Sequence, residues 1–108
     1  MKSLHIFKKG TPQGDVDIKM AIKGKLIAIK GSSNNPTALQ FIAQYKAKGA
    51  AVQEKRDGVV INIFPHGKTV FKLGSIQIDL EEDNDIVVEN KLCQFYIDTF
   101  SKAGFEVE

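Results

Sequence analysis

Between Val16 and Lys23 apolar and polar positions alternate: Val16, Ile18, Met20 and Ile22 face one way, and Asp17, Lys19, Ala21 and Lys23 the other. A repeat of two residues belongs to a strand with one buried face and one wet face. Gly24-Lys25 offers a tight turn, and Leu26 to Lys30 reads as the returning arm of a hairpin. A half-buried hairpin needs apolar cover on one side only, so cover of that kind is expected from the rest of the chain.

Leu4 to Lys8 is a short candidate strand, closed by the turn-rich GTPQG of Gly10 to Gly14. After the hairpin, GSSNNP predicts a helix start, with Asn35 as the cap and Pro36 at the first position, where its missing N–H costs nothing. Leu39, Phe41, Ile42 and Tyr45 supply a partial apolar stripe as far as Lys48, and Gly49 stops the helix. Ala51 to Lys55 and Val59 to Phe64 form a second hairpin across Asp57-Gly58. An apolar stretch runs from Thr69 to Leu80, with a turn or bulge at Gly74-Ser75. Beyond the polar hinge EEDND, Ile86 to Ala103 predicts a second helix, ended by Gly104 and followed by a small strand at Phe105 to Val107.

This order predicts an α+β fold: a mostly antiparallel twisted sheet of about five to seven strands with two helices packed on one face. Parallel pairing across either helix would make the sheet mixed. A weak echo at an offset of 55 residues aligns FIAQYKAKGAAV with YIDTFSKAGFEV, matching Phe41 with Tyr96, Tyr45 with Phe100 and Gly49 with Gly104. It reads either as a ββαβ pseudo-repeat or as two amphipathic helices that converge on the same ending.

With 108 residues, 43% of them apolar, the chain can bury one modest core, so residues 1–108 are expected to form a single domain. The lone Cys93 excludes an intrachain disulfide and a cysteine-rich metal site. No apolar run is long enough to cross a bilayer, and MKSLHIFKKG has no signal-peptide pattern, which makes the cytoplasm the expected compartment and a membrane partner unexpected.

The net charge of +2 hides a division: residues 1–56 hold eleven basic and three acidic side chains, for +8, and residues 57–108 hold four and ten, for −6. Such a chain can neutralise itself, pair with a second copy or hold an acidic partner. Lys19, Lys23, Lys25, Lys30, Lys46 and Lys48 are the candidate partner-binding residues, against the plainer reading of a solvated strand face. Nucleic acid is the alternative partner, since a phosphate backbone rewards positive charge through counterion release. It is weakened by the presence of a single arginine and by Phe7, Phe41, Tyr45 and Phe64, which mostly fall where a core would want them.

Motifs for chemistry are sparse. DLEEDND, Asp79 to Asp85, lacks the glycine and glutamate of a calcium loop, with Asn84 and Asn90 in their places, and a helix start explains its acids more simply. Gly67-Lys68-Thr69 lacks the upstream glycine of a phosphate loop. Free N–H groups between Gly31 and Pro36 could hold an anion, though ordinary capping uses the same atoms. His5, His66 and Cys93 show no spacing that assembles a nucleophile, and Cys93 reads as a small buried hydrophobe. Neither cofactor, metal nor catalytic residue is expected. The sequence therefore favours a non-catalytic interaction or assembly module, acting as a homo-oligomer or with a protein partner.

Overall fold

The structure is a computed structural model describing residues 1–12, 14–31 and 36–108, without the side chains of 31, 36–39 and 41. The elements run β1 (Lys2–Thr11), β2 (Gly14–Lys23), β3 (Leu26–Gly31), α1 (Pro36–Ala47), β4 (Ala51–Lys55), β5 (Gly58–Asn62), β6 (Val70–Leu73), β7 (Ile76–Asp79), α2 (Asp85–Lys102) and β8 (Glu106–Val107). The expected α+β class is observed. Gly74-Ser75 makes a turn, so the stretch around it forms two strands. The Asn35 cap and the anion-binding loop lie outside the described residues.

Six strands form one sheet in the order β4-β5-β3-β2-β1-β8, and β6-β7 is a separate ribbon. Every described pair is antiparallel. The reason lies in β5, which inserts between β3 and β4. Strands β3 and β4, joined through α1, point the same way but never touch.

Alternation sorts the sheet into two faces. Leu4, Ile6, Val16, Ile18, Met20, Ile22, Ile27, Ile29, Val59 and Ile61 are all buried on one of them. Each large aliphatic side chain contributes about 2 kcal/mol on burial, and a one-residue slip would turn a whole strand's set to water. That penalty fixes the register. Helix α2 covers this face with Val88, Leu92, Tyr96 and Phe100, and α1 with Ile42 and Tyr45. The ribbon adds Phe71, Leu73 and Ile78, with Phe71 stacked 5.7 Å from the Tyr45 ring. Asn84 caps α2 by accepting a hydrogen bond from the Val87 N–H at 2.9 Å.

The 55-residue echo has a local cause. The Ala50 N–H donates to the Tyr45 carbonyl at 3.1 Å and the Gly49 N–H to Lys46 at 3.0 Å. One offset later, Phe105 donates to Phe100 at 2.9 Å and Gly104 to Ser101 at 3.1 Å. These are matching Schellman caps, and each needs a left-handed glycine, supplied by Gly49 at φ 87° and Gly104 at φ 88°. Beyond the caps the units diverge, because β6-β7 forms its own ribbon whereas β2-β3 lies in the main sheet.

Candidate functional site: the open sheet face

The second face of the large sheet carries a layered pattern. Pairing sets Ser3 opposite Ala21, Ala21 opposite Ala28, and Ala28 opposite Val60. These small side chains form a row across four strands. The neighbouring row runs His5, Lys19, Lys30, Gly58 and Lys55. At about 4.8 Å per strand, its three lysines span about 14 Å. Small floor and long wall together make a trough. A groove of about 460 Å³ lined by Ser3, His5, Lys19, Ala21, Ala28 and Lys30 meets a second of about 350 Å³ toward Lys55, Arg56 and Val60. The two share Ala28 and Lys30.

The trough's β1-β8 end is acidic. His5 Nε2 lies 2.7 Å from Asp17 Oδ1, and its Nδ1 lies 3.9 Å from Glu108 Oε2. The His5 ring sits 4.8 Å from that of Phe7, two residues along the same strand face. Phe7 is therefore half-exposed on the open face, not in the core where it was expected. The strand's own alternation decides this, since Leu4 and Ile6 take the inward positions. Tyr45 and Phe64 are buried as expected.

The six candidate lysines divide. Lys19 and Lys30 are direct cross-strand partners, and Lys23 shares their face opposite Leu26. Lys25 lies in the β2-β3 turn, where its carbonyl accepts a hydrogen bond from the Ile63 N–H at 3.1 Å. Lys46 and Lys48 stand at the end of α1, on the helix side, with Lys46 Nζ 3.8 Å from Glu54. They do not join the trough. Sequence reasoning missed Lys55 as a member of the row, because that placement depends on β5 entering between β3 and β4. It also missed the floor, although alanines at wet positions of both arms of the first hairpin were visible.

Other charged groups have local work. The Asp83 carboxylate lies 2.7 Å from Lys91 Nζ and accepts the Asp79 N–H at 3.0 Å. The Lys91 hydrogen bond first, and that N–H second, hold it below the ordinary carboxylate range. Asp79 in turn accepts the Glu81 N–H at 2.9 Å. Buried Glu89 lies 2.9 Å from the Met1 α-amino group and accepts the Gly24 N–H at 3.1 Å. Cys93 is half-buried, and desolvation pushes its thiol above the usual range. Among the described residues, no lysine or arginine of 1–56 forms an ion pair with an acid of 57–108. The charge division is not cancelled by contact between side chains.

Among the described residues, no helix is long and apolar enough to cross a membrane. Comparison of the chain with protein-family models, with curated proteins and with solved structures returns no match.

Proposed function

We propose that this protein is a non-catalytic interaction module whose open sheet face holds an acidic polypeptide segment. The observation that carries this reading is the trough itself, a floor of small and mostly apolar side chains beside a row of three lysines. An apolar floor favours side chains such as leucine, and the lysine wall favours carboxylates, so an acidic segment with interspersed apolar residues satisfies both. The Lys19–Lys30 pair supports the reading from another side. Like charges directly opposite on a sheet are destabilising, and a partner's carboxylates would relieve that repulsion.

Nucleic acid is the second reading, favoured by the same lysines and by the half-exposed His5–Phe7 ring pair on their face. Stacking platforms place rings beneath successive bases, whereas this floor is serine, alanine and valine. Amide chemical-shift mapping with a mixed Glu/Leu peptide and, separately, a single-stranded oligonucleotide separates the two. The expected result is peptide-induced shifts at Ala21, Ala28 and Val60 that disappear in Lys19→Glu/Lys30→Glu. Tighter oligonucleotide binding with a steep salt dependence would transfer the function to nucleic acid. Silence with both would remove the trough from the reading.

A further inference from the structure

Building on that reading, we infer that the trough's occupant is a second copy of this chain, which enters with its acidic segment Asp79–Ile86 in a head-to-tail contact. In this contact Glu81, Glu82 and Asp85 of one copy meet Lys19, Lys30 and Lys55 of the next, and Leu80 and Ile86 cover the alanine floor. The segment has the composition the trough asks for. Leu80 is 39% exposed and Ile86 67% exposed, among the largest apolar exposures in the described chain, and the acids beside them are exposed as well. Among the described residues Glu81, Glu82 and Asp85 enter no ion pair, and neither do Lys19, Lys30 and Lys55. Both charged surfaces are thus available at the same time.

A copy cannot satisfy itself. The Asp85 carboxylate lies against Gly24, 3.0 Å from where a Cβ would stand, which sets the start of α2 at the β2-β3 turn. Helix α2 continues from there across the buried face, and the trough is on the opposite face. The contact is therefore between molecules and uses two different patches. A heterologous contact of this kind builds a ring if its rotation closes and a filament if it does not. It also accounts for a +8/−6 division that, among the described residues, no lysine or arginine of 1–56 offsets by pairing with an acid of 57–108.

Size-exclusion chromatography with light scattering tests this in four samples, each checked for folding by circular dichroism. The parent chain should form concentration-dependent species larger than a dimer, weakened by salt. Ala28→Glu disables the trough and leaves the acidic segment. Leu80→Ser/Glu81→Ser/Glu82→Ser disables the segment and leaves the trough. Each variant alone should be monomeric, and their equimolar mixture should stop at a 1:1 dimer. Lys30→Glu, a change at an exposed position, replaces Ala28→Glu if that variant misfolds. Dimerisation of the segment-disabled variant alone, or a monomeric parent at all concentrations, overturns the inference. In the latter case, Glu/Leu peptide shifts at Ala28 would leave the broader reading standing with a different occupant, and no shifts would end both.

Discussion

Glu89 is the one carboxylate buried in the described structure, with 7% of its surface exposed. Its charge survives there because hydrogen bonds from the Met1 α-amino group and then from the Gly24 N–H favour the ionised form over desolvation. Both hold its folded pKa below the ordinary value of 4.5. A depressed carboxylate contributes stability above its unfolded pKa and loses that contribution as pH falls through the folded pKa. Glu89→Gln should therefore be less stable than the parent at neutral pH. The gap should close in acid, as urea unfolding at pH 7 and about pH 3 would reveal. An equal gap at both values would mean that packing, not charge, sets the effect. Nothing in the linear sequence marked Glu89, because its partners lie 65 and more positions away. The same holds for Phe7, whose aromatic side chain suggested a core that the strand's alternation denied it.

At the scale of elements, what could be read was what local chemistry decides. Period two and a Gly-containing turn defined the β2-β3 hairpin, and Asp57-Gly58 defined β4-β5. Glycines 49 and 104 ended the helices where expected. The β6-β7 ribbon was harder, because strands of four residues are too short to separate a turn from a bulge by pattern. Strand order was harder still, since β5 reaches β3 through tertiary packing that no short stretch encodes. The caps carry their own prediction. Gly104→Ala forces a side chain into the left-handed region, at a cost of about 1 kcal/mol. Chemical denaturation should register that loss, and amide exchange should quicken first at positions 104 and 105, whose N–H groups close the cap. Unchanged stability would show that the end of α2 tolerates another cap.

Across the whole molecule, the binding role proposed for Lys30 and its effect on stability pull in opposite directions. Lys19 and Lys30 face each other directly on an exposed surface, a placement that a sheet selected only for folding would avoid. Natural chains break such local rules mainly where function compensates. Lys30→Glu turns the like pair into an opposite pair and should raise monomer stability by about 0.5 kcal/mol at low salt. The gain should shrink as salt screens the exposed charges. The same substitution should remove peptide-induced shifts at Ala28 and abolish self-association. A lysine that only solvates the face would give the stability gain with binding untouched. A lysine with a structural role would lose stability instead. Only a binding residue gives a more stable monomer that no longer binds, so two measurements on one variant distinguish all three.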